Sequence, residues 1–104
     1  MGLDETVLQH LMRETGGLVL RSGSTASYVG IGRAQDAVGW LEAQGFAISG
    51  MEGFLSDGRS VRPLEACIAD LSGLDPSSSA RAARQILEEW SETADWIDFT
   101  LAGA

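Results

Sequence analysis

Acidic side chains are the residues of this chain whose types and spacing could support chemistry. Glu52 and Asp57 flank a predicted hairpin, and Asp70 follows it. Two carboxylates held close together can act as general acid and general base. The surrounding sequence supplies no nucleophile, histidine partner or metal cluster, so we expect no enzyme. A small enzyme or ligand-binding protein, the weaker alternative, would require a polar pocket that gathers Glu52 and Asp70.

Histidine and cysteine, the other candidate catalytic types, occur once each, as His10 and Cys67. His10 lies off the apolar stripe of its predicted helix, which indicates a surface residue. A cysteine nucleophile needs a base, and without one Cys67 is expected to be a small buried apolar residue. The serine-rich stretch 22–27 and the Gly-x-Gly at 30–32 complete neither a phosphate-binding nor a dinucleotide motif. We therefore expect no catalytic residue, cofactor or metal.

A second group of acidic residues is accompanied by aromatic ones in the predicted C-terminal helix, residues 79–101. At about 100° per residue, one side of this helix carries an apolar seam and the other carries the acids and aromatics. Aromatic anchors among charges are typical of a protein interface. Alternatively, the helix is sandwiched and its outer aromatics cover a second core element. The predicted partner-binding residues are Glu88, Glu92, Asp95, Trp96 and Phe99, with Glu52 and Asp57 as a rival site.

The formal net charge is −8, from fifteen acidic and seven basic residues. Such a surface repels nucleic acid and anionic membranes and attracts a basic partner, although many cytoplasmic proteins are acidic simply to stay soluble. A lone cysteine favours a reducing compartment. The sequence predicts no secretory signal and no apolar run near the ~20 residues of a membrane helix. We therefore expect a cytoplasmic protein with a basic partner and no nucleic acid or membrane partner.

Apolar spacing predicts the elements that must position these residues. Residues 4–14 and 34–44 have helical stripes, 18–21 is a candidate strand, and 28–32 is either a strand or the lead-in to a helix. The stripe of the first helix consists of Val7, Leu8, Leu11 and Met12, and Gly16-Gly17 ends that helix.

Residues 46–72 are predicted to form a hairpin that organises the fold. Asp57-Gly58 is a two-residue turn, which places Phe54 opposite Val61. The stretch after Pro63 is either a strand, with Pro63 at a bulge or on an edge, or a helix that begins at Pro63, and we favour the strand.

The expected fold is a single α+β domain over residues 1–104. A small antiparallel sheet built on this central hairpin is packed by two or three helices, including the long C-terminal helix. The seam of that helix follows steps of three and four, at Ala83, Leu87, Trp90, Ala94, Ile97 and Leu101.

The hairpin carries a distinctive pattern: Gly-aromatic-x-Ile-x-Gly-x-Glu-Gly-Phe, a turn, then Pro and Ile-x-Asp-x-Ser. It covers about a quarter of the chain and resembles small bacterial colicin-like immunity proteins. The matching residues are Gly45, Phe46, Ile48, Gly50, Glu52, Gly53, Phe54, Pro63, Ile68, Asp70 and Ser72.

The resemblance implies a stoichiometric inhibitor that binds and neutralises a cognate bacterial toxin. A nuclease toxin must present a basic groove to phosphates, and an acidic inhibitor can occupy that groove. The alternative is a non-catalytic interaction or regulatory module, such as a toxin chaperone or an assembly subunit.

Overall fold

The computed structural model describes residues 19–22, 26–56 and 61–102. Five strands and two helices follow one another along these ranges. In chain order they are β1 (Val19–Ser22), β2 (Ala26–Gly30), α1 (Ile31–Ala43), β3 (Ile48–Ser56), β4 (Val61–Asp70), α2 (Pro76–Trp90) and β5 (Trp96–Leu101).

The strands form one sheet in the order β1-β2-β5-β3-β4, and every neighbouring pair is antiparallel. The α+β class with an antiparallel sheet is therefore confirmed. Strands β3 and β4 do pair, but they lie to one side, with β4 at the edge. The hairpin is not the centre of the sheet. That position belongs to β5, the last strand in the chain, which is inserted between β2 and β3.

Both helices pack on the same face of the sheet. Helix α1 buries positions i, i+3, i+4 and i+7 of its stripe, Ala34, Ala37, Val38 and Leu41. Helix α2 buries Ala80, Ala83, Leu87 and Trp90. These side chains join Val29, Met51, Ile97, Phe99 and Leu101 of the strands in one core cluster.

The predicted helix at 34–44 and the predicted strand at 18–21 are confirmed to within a few residues, as α1 and β1.

The start of α2 is tied to β3 by capping and by a buried hydroxyl. Asp75 accepts a hydrogen bond from the Ser78 N–H at 2.7 Å, and Pro76 occupies the first helical turn. The buried Ser79 hydroxyl accepts from the Ile48 N–H at 3.0 Å and donates to the Pro76 carbonyl at 3.0 Å. This contact positions the helix over the beginning of β3.

The predicted long C-terminal helix is wrong beyond Trp90. The chain turns there, with the Thr93 and Ala94 N–H groups both donating to the Trp90 carbonyl, and continues as β5. The predicted seam is nevertheless buried throughout, from Ala83 to Leu101. Ile97 and Leu101 are four apart, a spacing that suits one helix face and, equally, one face of a strand.

The predicted hairpin register is also wrong. Ser56 pairs with Val61 and Phe54 with Pro63, so four residues rather than two separate the paired ends. The strand preferred after Pro63 is confirmed, and Pro63 lies on the edge strand beside an irregularity in the pairing. The predicted helix at 4–14 and the turn Asp57-Gly58 lie outside the described residues.

Neither described helix is long and apolar enough to cross a membrane.

Candidate functional site

Four acidic residues lie close together in sequence where α2 ends and the chain turns towards β5. They are Glu88, Glu89, Glu92 and Asp95, all exposed, and they are called the acidic end from here on. The carboxylates of the three glutamates form no ion pair with any described residue. The structure therefore presents exposed carboxylates without ion-pair partners among the described residues at the carboxyl-terminal end of α2 and in the turn after it.

Helix stability does not explain this charge. The carboxyl-terminal end of a helix carries partial negative charge and favours basic side chains. In α2 no basic residue occupies the last turn, whereas Arg81 and Arg84 lie nearer its start. Because Glu88 and Glu89 occupy the unfavourable end of the helix, their presence calls for another reason.

Asp95 joins the acidic end to the sheet. Its Oδ2 atom accepts from the Ser56 N–H at 2.9 Å, and its own N–H donates to the Phe54 carbonyl at 2.8 Å. Its carbonyl accepts from the Ile31 N–H at 2.9 Å, at the start of α1. Asp95 is thus a structural junction as well as a surface acid. Asp57, one residue beyond Ser56, lies outside the described residues.

A shallow groove of about 720 Å³ runs between α1 and α2 beside the acidic end. It is crossed by contacts between the helices: Arg84 donates to Glu42 at 3.0 Å, and Gln35 Nε2 donates to the Arg84 carbonyl at 2.9 Å. Polar and charged side chains supply most of its lining, which is Ile31, Gln35, Arg81, Arg84, Gln85, Leu87, Glu88 and Ser91. Glu88 therefore belongs both to the acidic end and to this groove.

The aromatic residues predicted to share the acidic surface do not lie there. Phe99 is 0% exposed and belongs to the core, so it cannot contact a partner of the folded protein. Trp96 is half-buried and pairs with Phe54 on the opposite side of the sheet from the helices. The helical projection failed because residues 96–101 alternate as a strand, with Ile97, Phe99 and Leu101 facing the helices.

The side of the sheet away from the helices is called the second face, and it carries Tyr28, Glu52, Phe54, Trp96 and Asp98. The rings of Tyr28 and Phe54 pack with centroids 4.7 Å apart, and Glu52 is the cross-strand partner of Asp98. Like charges in that arrangement repel. Glu52, predicted as part of a rival partner site, thus lies on the side of the sheet away from α2.

Burial and the Glu52 carboxylate raise the pKa of Asp98 from its usual 3.8 to about 6. Burial, followed by the Asp98 and Glu52 carboxylates, likewise raises the pKa of Tyr28. Two buried polar atoms here, Trp96 Nε1 and Asp98 Oδ1, have no hydrogen-bond partner within the described part of the chain. The second face therefore combines partly buried ionisable groups with aromatic rings.

Raised carboxyl pKa values occur in catalytic sites as well as in structural clusters. Across the described residues, no group of three or more potential ligands could hold a metal ion. Asp70 accepts from the Ser72 N–H at 3.0 Å and from the Ser72 hydroxyl at 2.6 Å, and this pairing lowers its pKa. Glu52 and Asp70 do not line the groove between α1 and α2. Cys67 is buried, and burial raises the pKa of its thiol.

Sequence reasoning missed Asp98, Tyr28 and Glu89. Asp98 could have been found from alternation: residues 97–101 are apolar at odd positions and polar at even ones. That period of two places Asp98 on the face opposite the core. Glu89 was overlooked although it adjoins Glu88.

No known protein family, curated protein or solved structure matches this chain.

Proposed function

We propose that this chain is an immunity protein: a stoichiometric inhibitor that neutralises a cognate bacterial toxin, most simply a nuclease, in the cytoplasm. The observation that carries the proposal is the acidic end, where exposed carboxylates occupy the electrostatically unfavourable end of a helix. A partner with a basic surface would offset that repulsion. A nuclease must have such a surface in order to bind phosphates.

The resemblance of the 45–72 pattern to colicin-like immunity proteins also supports the proposal. Gly45 adopts a positive φ of 82° directly after α1, Ile48 is in the core, and Gly53 lies against Cys67. These positions shape the region around β3, the strand to which Asp95 of the acidic end is hydrogen-bonded. The proposed interface lies next to the pattern, around Glu88, Glu92 and Asp95.

Trp96 and Phe99 are not part of the proposed interface, because Phe99 lies in the core and Trp96 is half-buried on the second face. Long-range attraction by Glu88, Glu89 and Glu92 would accelerate association, since complementary charges steer encounter. The groove between α1 and α2, with Arg84 and Gln85 in its lining, offers hydrogen-bonding groups beside those charges.

The test is to co-express this protein with the product of the gene next to its own and to purify any complex that forms. The activity of that gene product as a toxin is then assayed with and without this protein. We expect a 1:1 complex in which the toxin is inactive. A complex that retains full toxin activity would instead identify a chaperone or assembly subunit. Absence of any complex would contradict the proposal.

Matched charge reversals locate the interface. The double variant Glu88→Lys, Glu92→Lys should slow association by on the order of tenfold or more at low salt and flatten its salt dependence. The control Asp36→Lys, Glu65→Lys makes the same change in net charge at exposed positions of α1 and β4. Equal effects of the two variants would show that net charge, and not the acidic end, governs binding.

A further inference from the structure

The groove between α1 and α2 carries opposite charges on one helix. Arg81 and Glu88 both line it, and they lie seven positions apart on α2, which is two helical turns or about 10 Å. Both side chains are exposed, and neither forms an ion pair with a described residue. The groove therefore presents one cation and one anion that a partner can contact.

The other arginine of the groove is already engaged within the fold. The Arg84 guanidinium donates to Glu42 of α1 at 3.0 Å, and the Arg84 carbonyl accepts from Gln35 Nε2 at 2.9 Å. These contacts pair the charge of Arg84 and hold the two helices at a fixed spacing. Arg84 thus shapes the groove, and Arg81 is the guanidinium left to recognise a ligand there.

Helix stability does not account for Arg81. Hydrogen bonds from Ser78 are the main cause that lowers the pKa of the capping Asp75, and the Arg81 charge contributes least. Exposed charges of this kind add little to the free energy of unfolding. Recognition gives a better reason for an arginine at this position, because a guanidinium binds a carboxylate or a phosphate through two parallel hydrogen bonds.

The surrounding charge restricts which anion can reach Arg81. The chain has a net charge of −8, and the acidic end begins at Glu88 on the same helix. A nucleic acid or a free phosphate is repelled by that field. A carboxylate carried by an otherwise basic surface is instead drawn in by the acidic end. The fitting occupant is therefore a protein surface on which basic residues surround one acidic side chain.

We infer that the groove orients the partner: Arg81 binds an aspartate or glutamate of the partner, while Glu88 and the rest of the acidic end bind its basic residues. The pairing rests on the proposed function and adds to it the chemistry of the partner. Because the two signs are held about 10 Å apart, a reversed partner would set its carboxylate against Glu88 and its cations against Arg81. The groove thus selects one orientation, whereas the acidic end by itself only attracts.

Reversal of the Arg81 charge distinguishes this pairing from simple attraction by the sign of the effect. Arg81→Glu makes the protein more acidic, so attraction alone predicts faster association with a basic partner and tighter binding. Loss of a contact with a partner carboxylate should instead accelerate dissociation at least tenfold. Arg33→Glu is the matched control, because it makes the same charge change at an exposed position of α1 outside the groove lining. Its dissociation rate should stay near that of wild type.

Surface plasmon resonance with the product of the neighbouring gene measures both rates, and circular dichroism checks that each variant is folded. Failure of the wild-type protein to bind that product overturns the proposed function and the role of Arg81 together. A wild-type complex from which Arg81→Glu dissociates no faster than Arg33→Glu overturns the role of Arg81 alone. If Arg81→Glu is unfolded, Arg81→Gln replaces it and should also dissociate faster than wild type.

Charge exchange then identifies the partner residue. Each acidic residue of the partner is replaced in turn by lysine, and its binding to Arg81→Glu is compared with its binding to the wild-type protein. One lysine should restore slow dissociation from Arg81→Glu and weaken binding to wild type, which is the energetic coupling expected of two residues in contact. If no lysine restores slow dissociation, Arg81 does not bind a carboxylate and the inference is overturned.

Discussion

At the scale of single residues, Gly53 shows how one missing side chain permits a close contact. A β-carbon at this position would lie 2.6 Å from the Cys67 Cβ and 3.1 Å from the Ala94 Cβ. We expect Gly53→Ala to destabilise the protein by roughly 1–3 kcal/mol, the usual cost of overpacking. Urea unfolding measures the change.

Gly39→Ala is the matched control for that substitution. Gly39 lies inside α1, and a β-carbon there would make ordinary contact, at 3.5 Å, with an Arg84 side-chain nitrogen. The variant should be more stable than wild type by about 0.5–1 kcal/mol, because glycine weakens a helix interior. Tolerance of alanine at both positions would contradict the close approach of β3 and β4 at Gly53.

The raised pKa of Asp98 predicts an unusual pH dependence of the free energy of unfolding. Its pKa is about 6 in the folded protein and near 3.8 when unfolded, so the folded state binds the proton more tightly. Stability from this group is therefore greatest below pH 3.8 and is lost as pH rises to about 6. Two pKa units correspond to about 3 kcal/mol, and solvent screening of this partly exposed carboxyl reduces that to roughly 1–2 kcal/mol.

The substitution Asp98→Asn removes this charge at nearly constant shape. It should stabilise the protein by that amount at pH 8 and have little effect at pH 3.5, as measured by denaturant unfolding at the two pH values. Glu52→Gln should lower the pKa of Asp98, followed by NMR of its carboxyl carbon. Equal effects of Asp98→Asn at both pH values would contradict the raised pKa.

At the scale of elements, the docking of α2 on β3 depends on one buried hydroxyl. Ser79→Ala would leave the Ile48 N–H without its partner in the core. We expect a loss of about 1–3 kcal/mol, the cost of an unsatisfied buried donor. Ser77→Ala, at an exposed position in the same helical turn, should have little effect. If the two variants melt at the same temperature, the Ser79 contact contributes nothing to stability.

At the scale of the whole molecule, the last strand holds the sheet together. β5 pairs with both β2 and β3 and contributes Ile97, Phe99 and Leu101 to the core. A chain truncated after Asp95 would lose the strand that joins the two halves of the sheet. We expect it to be unfolded by circular dichroism and by amide NMR dispersion. A cooperative melt of this truncated chain would contradict the central role of β5.

Local sequence determined much of this protein. The stripe from Ala34 to Leu41, the cap at Asp75 and the strand after Pro63 follow from side-chain spacing and turn chemistry, which act between near neighbours. The burial of Ile97 and Leu101 was also predictable, because apolar residues leave water whichever element carries them. The exposure of Glu88 and Glu92 was predictable as well, because charged side chains stay in water whichever element carries them.

Tertiary structure alone decided the rest. Residues 96–101 become a strand because β2 and β3 offer hydrogen-bonding edges on both sides, and helix propensity cannot anticipate partners so distant in sequence. That choice moves Phe99 from a predicted surface into the core and sets Asp98 against Glu52. The hairpin register likewise depends on how β4 accommodates Pro63. Pairing between distant strands therefore separated the predicted aromatic anchors from the acidic residues that remain at the surface.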